Sequence, residues 1–309
     1  MALRAVEALA KINLGLRVLF RRHDGFHELR TVFQTISLSD RIRIRYRRGG
    51  GPGVELWCDR ADLCGPSNLA AQAATRLLEA SEDTGRVVVE IEKRVPVGAG
   101  LGGGSSDAAA VLLALADMLR PRPSPRLLLG LARQLGSDVP FFLTGGRALG
   151  LGRGDEIYPL PEISRQQWLV IAAPPVPVST SEAYRNLSPH LTSRPWEEKI
   201  DGFCSSVLET DLGRRRRGCE LENDFEPVVF QKHPEVELLK ARLAASGARP
   251  ALLCGSGSAV FGAFAERRGA LRARDTLGLD EARCFVAQTV NRSGYQRRWR
   301  RWLGRDMLG

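Results

Sequence analysis

The chain has 309 residues, 43% hydrophobic and 26% charged, an ordinary globular composition that excludes collagen-like, fibrous and disordered classes and suggests two domains or one large one. Its net charge is +10, but 14 arginines sit in three acid-free runs (Arg41 to Arg48, Arg214 to Arg217, Arg297 to Arg305), and the remaining 31 basic and 35 acidic residues balance to −4, so the body is mildly acidic and a nucleic-acid reading is weakened. No stretch of roughly 18 apolar residues occurs, and Lys11 and Asn13 interrupt the N-terminal apolar segment; the expectation is a cytoplasmic protein with no membrane partner.

In chain order, Arg4 to Leu16 reads as a strand, His23-Asp24-Gly25 as a turn, and Leu29 to Ile36 as a strand that runs on into Arg41, Arg43, Arg45 and Arg47. These arginines alternate with Ile42, Ile44 and Tyr46, the period of a strand with one wet face. Gly49 to Gly53 reads as a hairpin connection into a short strand, Val54 to Cys58. Ser67-Asn68 offers an N-cap to a helix over Leu69 to Ala80, and Val87 to Lys93 is a β-branched strand. A glycine-rich loop, Pro96 to Gly104, leads to a helix over Asp107 to Leu119, with Asp107 read as its cap in preference to a magnesium ligand. A helix over Ser124 to Leu135 stops at Gly136, and strands follow at Phe141-Phe142-Leu143 and Arg147 to Gly150. Trp168 to Ala172 is an apolar strand, and Pro174 to Pro177 an extended crossing that puts the domain seam near 160 to 180. The polar stretch 190 to 220 reads as a long loop with short helices, His233 to Ala245 and Arg267 to Leu277 as helices, and Leu252 to Ala265 as two strand-like halves around Gly255-Ser256-Gly257-Ser258.

Six cysteines without a Cys-x-x-Cys pair, beside four histidines, argue for reduced thiols rather than a zinc or disulfide framework. Only five of the 45 basic residues are lysine, and Lys11 is the sole lysine in the first 92 positions, a hint that a compact point charge is wanted there. The Arg298-Trp299-Arg300-Arg301-Trp302 tail interleaves aromatics with charge, which leaves open contact with an anionic surface.

The most informative segment is Pro96-Val97-Gly98-Ala99-Gly100-Leu101-Gly102-Gly103-Gly104-Ser105-Ser106-Asp107. Five glycines in seven positions are entropically expensive, and what they permit is close backbone approach: successive N–H groups can face one concavity, with a helix N-terminus behind them. That is an anion cradle suited to a di- or triphosphate, and Ser105 and Ser106 add hydroxyls able to bond phosphate or magnesium. Gly98, Gly100 and Gly103 satisfy G-x-G-x-x-G, but no paired dinucleotide-binding half accompanies them, and Gly104 stands where a Walker loop needs lysine. The form P-x-x-x-G-L-G-x-x-S-S fits.

Ala10-Lys11-Ile12-Asn13-Leu14, Asp24-Gly25-Phe26-His27, the glycine loop, Gly136-Ser137-Asp138-Val139-Pro140-Phe141-Phe142, Asn223-Asp224-Phe225-Glu226 and Gly255-Ser256-Gly257-Ser258 occur in the order found in the GHMP kinases, which the chain resembles from Ala10 to about Thr289. The resemblance implies an α+β, two-domain fold: an N-terminal ATP-binding half (residues 1–165) like the second domain of ribosomal protein S5, and a C-terminal ferredoxin-like half (residues 166–309). It implies an ATP-dependent small-molecule kinase, with Mg2+ accompanying the nucleotide, acting as a monomer or homodimer. The Asp-Gly-Phe-His turn and the Gly-Ser-Asp-Val-Pro-Phe-Phe segment point to the branch that phosphorylates the 2-hydroxyl of 4-diphosphocytidyl-2-C-methyl-D-erythritol in non-mevalonate isoprenoid precursor synthesis.

On that resemblance Asp138 is the general base and Lys11 its partner, chemically sensible because a carboxylate beside an ammonium stays deprotonated at neutral pH. Asn13 is expected to bond the substrate near the reacting hydroxyl. Pro96, Gly98, Gly100, Leu101, Gly102, Gly103, Gly104, Ser105 and Ser106 are expected to hold ATP. His27 is expected to read the cytosine edge, Phe26 and Tyr184 to stack on the base, and Gly255, Ser256 and Gly257 to form a second glycine turn across the cleft. Two alternatives stand beside this reading. One is another small-alcohol kinase of the same family, of homoserine or mevalonate type; the other is a basic nucleic-acid-binding protein, whose affinity would fall steeply with salt.

Overall fold

The computed structural model describes residues 2–49, 51, 53–162, 165–187, 195–211, 221–278 and 283–303. Two sheets organise them. The first has six strands: β1 (Ala2–Arg21) and β2 (His27–Arg47) form a long antiparallel hairpin, and β2 also pairs with β4 (Arg86–Glu92) and β5 (Arg147–Leu151). The edges are β3 (Gly53–Cys58) and β6 (Glu156–Pro159). The second has four strands, β7 (Trp168–Ala172), β8 (Ala251–Leu253), β9 (Val260–Phe264) and β10 (Cys284–Gln288), in the order β10-β7-β9-β8.

The alternation in β2 holds: Ile42, Ile44 and Tyr46 are buried, while Arg41, Arg43 and Arg47 are exposed. Arg41 and Arg45 pair with Glu92 and Glu90 of β4 on the wet face. The expected hairpin at Gly49 to Gly53 does not form. β4 lies between β2 and β3, and β3 runs parallel to β4, so the glycine-rich link is a crossover.

Helices α1 (Leu69–Ala80), α2 (Gly103–Met118) and α3 (Pro125–Leu135) cover the inner face of the first sheet. Asn68 caps α1 by accepting the Ala70 N–H at 2.9 Å, and Ser124 caps α3 through Leu127 N–H at 3.2 Å. Phe141-Phe142-Leu143, expected as a strand, lies instead in a short helix, α4 (Val139–Thr144). Pro140 in its first turn favours that conformation, and both phenylalanines are buried from the helix. The segment after β7 is more helical than expected, with α5 (Thr180–Leu187), α6 (Trp196–Asp211) and α7 (Glu226–Lys232). Arg214 to Arg217, Cys219 and Arg305 lie outside the described residues.

Helices α8 (Pro234–Ala245) and α9 (Arg267–Thr276) pack on the second sheet. A third apolar layer joins the two sheets: Ala10, Ile12, Leu14, Val32 and Ile36 of the hairpin meet Leu169, Ile171, Phe261 and Ala287. Each fully buried Val, Leu, Ile or Phe side chain here contributes about 1.5–3 kcal/mol, which fixes the hairpin against the second sheet. The final helix, α10 (Arg292–Leu303), returns to the first core: Tyr295 and Trp299 are buried in it, and the Tyr295 hydroxyl donates to the Phe142 carbonyl. The aromatics among the tail arginines are therefore the core face of a helix, not a lipid or nucleic-acid surface. Among the described residues no helix is long and apolar enough to cross a membrane.

Candidate active site

Lys11 and Asn13, two residues apart on β1, share one side of the strand. Lys11 is nearly fully buried, and its Nζ donates to Asn13 Oδ1 at 2.8 Å and lies 3.3 Å from Asp138 Oδ2. The Phe33 ring centre stands 5.5 Å from the same ammonium. Asn13 in turn donates from Nδ2 to Thr31 Oγ1 at 2.8 Å, and Thr31 donates to the Gly15 carbonyl at 2.8 Å. A chain of hydrogen bonds thus aims the lysine. Asp138 stands at the entrance to α4, where its side chain makes no capping bond and remains about one-third exposed, facing Lys11.

The glycine loop passes close to this pair. Lys11 N–H donates to the Leu101 carbonyl at 3.0 Å, so the loop is tied to β1 at Lys11 itself. α2 begins at Gly103 with Gly102 as its cap in the left-handed region (φ +71°), four residues before the expected start. The first-turn N–H groups of a helix lack intrahelical partners, so Gly103, Gly104 and Ser105 present donors at a positive helix end. Gly98 (φ +68°) and Gly100 (φ +77°) are also left-handed, a conformation that favours glycine.

The loop touches the second glycine turn. A Cβ on Gly100 would stand 1.8 Å from the Cys254 carbonyl oxygen, and Ala259 N–H donates to the Ala99 carbonyl at 3.2 Å. Asn223 holds that turn by donating to the Leu253 and Gly255 carbonyls at 2.9 and 2.7 Å. Ser256 Oγ is hydrogen-bonded to Thr180 Oγ1 at 3.0 Å.

At the far end, the His27 ring stacks on Tyr184 with centroids 4.8 Å apart, and Tyr184 meets Phe225 edge-on at 4.8 Å. His27 Nε2 is buried and has no hydrogen-bond partner among the described residues. Burial, aided by the charge of Arg21, lowers the imidazole below its ordinary value, which keeps the ring neutral, and burial pushes the Tyr184 phenol up. Phe26 is exposed, with the Arg153 guanidinium 4.7 Å from its ring centre.

These parts line one cleft of about 1100 Å³. It brings together Lys11, Asn13, Phe26, His27, Pro96, Gly98, Gly100 to Ser105, Asp138, Tyr184, Gly255 and Ser256. Ser106 and Gly257 do not line it. Ser106 is buried and its hydroxyl donates to the Leu9 carbonyl at 2.7 Å, so it fastens α2 to β1 away from the cleft. Asp107 is not the helix cap. Lying inside α2, it accepts from Lys93 Nζ at 2.8 Å, and Lys93 also bonds Asp40. Burial pushes the Asp107 carboxyl up, to about 7, against the pull of Lys93. Burial also works against the Lys93 ammonium, but the two carboxylates outweigh it and raise its value.

Three arginines that the sequence does not single out, Arg21, Arg153 and Arg185, line the cleft near the aromatic end, and Thr180 lines it beside Ser256. In a chain that writes arginine for nearly every basic position, nothing in their spacing singles them out.

A profile described as GHMP kinases N terminal domain matches residues 68–146, and one described as GHMP kinases C terminal matches residues 205–279. With this fold and cleft, the chain belongs to the GHMP kinases. It is 47% identical over 301 residues to the 4-diphosphocytidyl-2-C-methyl-D-erythritol kinase of Solibacter usitatus, covering 96% of this chain and 92% of that one. It is 39% identical to the same-named protein of Geobacter sulfurreducens, covering 92% and 97%. A crystal structure of 4-(cytidine 5'-diphospho)-2C-methyl-D-erythritol kinase superposes with a TM-score of 0.73 at 36% identity, covering 92% of this chain and 98% of that one. Within the GHMP kinases, then, the chain falls in the family of the 4-diphosphocytidyl-2-C-methyl-D-erythritol kinases. The homoserine kinase of Cytophaga hutchinsonii, with a TM-score of 0.70 at 19% identity over 94% of this chain and 95% of that one, shares the fold alone.

Proposed function

We propose that this chain is an ATP-dependent alcohol kinase that transfers the γ-phosphoryl group to the 2-hydroxyl of 4-diphosphocytidyl-2-C-methyl-D-erythritol. The observation that carries the substrate assignment is the His27–Tyr184 stack in the same cleft as Lys11 and Asp138, with a buried imidazole nitrogen that has no hydrogen-bond partner among the described residues. Homoserine and mevalonate carry no base to read.

In this reading the loop N–H groups from Gly98 to Ser105 and the α2 N-terminus hold the phosphates, and positioning with charge stabilisation supplies most of the catalysis. Asp138 accepts the proton of the attacking hydroxyl. Lys11, fixed by Asn13, keeps a compact positive charge beside that oxygen as it becomes the nucleophile. Asn13 acts chiefly by orienting Lys11, since its amide already bonds Lys11 and Thr31. His27, neutral, offers one donor and one acceptor to the cytosine edge. The division we propose gives the nucleotide to residues 1–165 and the second glycine turn to residues 166–309, with Gly255 and Ser256 facing the transferred phosphate or the substrate diphosphate.

Mg2+ is expected with the nucleotide. Among the described residues no three His, Cys, Asp or Glu side chains gather to cage a metal, which suits a cation held largely by phosphate oxygens. Ser105, on the cleft wall, would supply a protein hydroxyl to it, and the ion would neutralise phosphate charge.

The nucleic-acid alternative loses its support, because the Arg41 and Arg45 side chains pair with glutamates and the tail tryptophan Trp299 is core. The deciding experiment is initial-rate phosphoryl transfer from ATP to a panel of the cytidylyl substrate, its uridylyl analogue, homoserine and mevalonate. The cytidylyl compound should be preferred to the uridylyl one by about 5- to 150-fold in kcat/KM, the worth of one mismatched buried polar group. Equal rates for the two nucleotides, or preference for a plain alcohol, overturns the assignment.

A further inference from the structure

We propose that Asp40, Lys93 and Asp107 form a buried ionic clamp that sets the position of the glycine-rich loop, which makes Lys93 a positioning residue for the nucleotide end of the cleft; this rests on the reading of that end as the ATP phosphate site.

The loop leaves β4 and enters α2, and the clamp holds both of its ends. At the entry, Asp40 Oδ1 accepts the N–H groups of Arg94 at 2.6 Å and Val95 at 2.8 Å, while its Oδ2 accepts from Lys93 Nζ. At the exit, the same Nζ donates to Asp107 Oδ2 at 2.8 Å in α2. A single ammonium therefore ties β2, the first residues of the loop and the helix that follows it. Lys93 N–H also donates to Asp59 Oδ1 at 2.9 Å, which adds the end of β3.

The three charged side chains are almost fully buried, at 6% exposure for Lys93, 0% for Asp40 and 4% for Asp107. Gly103 shows how tightly the clamp is drawn against the loop: a Cβ there would stand 3.0 Å from Val95 Cγ1 and 3.3 Å from Lys93 Nζ. Lys93 and Asp107 also line the cleft, and Asp107 Oδ1 is buried with no hydrogen-bond partner among the described residues.

A buried ion pair is a poor source of net stability, and apolar groups of equal volume often do as well. What directional charge–hydrogen bonds add is a unique placement. The residue choice agrees. A chain with five lysines among 45 basic residues puts one here, where a compact head with three rotatable donors reaches two carboxylates inside a nearly closed site that a bulkier guanidinium would have to enlarge. A loop released at either end would let its phosphate-binding N–H groups drift, and misplacement of about 1 Å can reduce catalysis by ~10²-fold.

The test uses the full-length protein. ADP affinity is measured calorimetrically without the second substrate, followed by kcat and separate KM values for ATP and for the cytidylyl substrate. The variants are Lys93→Met, which keeps the apolar stem, and the triple Asp40→Asn, Lys93→Met, Asp107→Asn, which removes every ionisable group of the clamp together. Folded Lys93→Met or the folded triple variant should bind ADP at least ~10-fold more weakly, with KM for ATP rising in step and KM for the cytidylyl substrate held within ~2-fold. Lys93→Arg should not restore ADP binding. A folded variant with parental ADP affinity overturns the clamp, as does an equal rise in both KM values, which would mark a general loss of structure. Failure of every variant to fold would make the triad a folding element and overturn the proposal as well. Absence of ADP binding to the parent chain would instead strike the ATP-site reading.

Discussion

Gly100 sits where the two glycine segments meet, and its replacement by alanine separates two effects that are usually confounded. The first is backbone strain: at φ +77° alanine is disfavoured by about 1 kcal/mol. The second is a collision, because the new Cβ would stand 1.8 Å from the Cys254 carbonyl oxygen, where real Cβ atoms essentially never come within 3.0 Å. Neither neighbour is a flexible side chain, so the loop and the turn must part by more than about 1 Å, enough to lower turnover by roughly 10²-fold. Gly98→Ala is the control. It shares the left-handed backbone (φ +68°), but its Cβ meets nothing within 4 Å. Gly98→Ala should lower Tm by about 2–4 °C, the equivalent of about 1 kcal/mol, and leave kcat within about threefold of the parent. Gly100→Ala should be about 1–3 kcal/mol less stable still, with kcat down by about 10²-fold in a coupled ADP-release assay. Matching Tm and kcat in the two variants would refute the argument that contact between the segments sets the site.

Asp138→Asn should cut kcat by about 10²- to 10⁴-fold while ADP binding is retained, and Lys11→Arg should fail comparably, because a guanidinium cannot occupy a buried site bounded by Asn13 and Phe33; near-parental turnover in either variant removes that residue from the mechanism. KM for the cytidylyl substrate should stay level as pH falls through the ordinary imidazole value of about 6.5 and rise only through the depressed value of His27, since protonation destroys the acceptor; the limb should vanish in His27→Gln, and a rise beginning near pH 7 would contradict the role. Ser106→Ala should cost about 0.5–1.5 kcal/mol of stability in denaturant melts with KM for ATP unchanged, whereas Ser105→Ala should raise that KM; the reverse pattern would put the wrong serine at the phosphates.

That the glycine loop, Lys11 and Asp138 line one cleft was legible because glycine clustering, a lone lysine and an aspartate after a helix stop are local signals with few structural uses. What was not legible depended on partners distant in sequence. β3 pairs with β4 and not with the strand before it, a choice set by core burial rather than by the glycines between. Phe141 and Phe142 look like strand residues until Pro140 and the surrounding core select a helical turn. The start of α2 moved four residues because the glycines that look like loop are tolerated in its first turn, and this turned Ser106 and Asp107 inward. The bonds of Asn13 to Lys11 and Thr31 likewise depend on the fold and are not visible in the sequence. Nor does the sequence show that Tyr184 stacks on His27, since the two lie far apart in the chain. The tail tryptophans mimic a surface motif only until the helical period places Trp299 against Tyr295 in the core.

The central claim, transfer of phosphate to one hydroxyl of one cytidylyl alcohol, is tested most directly by phosphorus NMR of the product formed from ATP and 4-diphosphocytidyl-2-C-methyl-D-erythritol. A single new phosphomonoester on the tertiary carbon C2 is expected, formed in step with ADP, with the substrate's diphosphate resonances intact. ADP accumulating without an ester, or an ester at another hydroxyl, would contradict it.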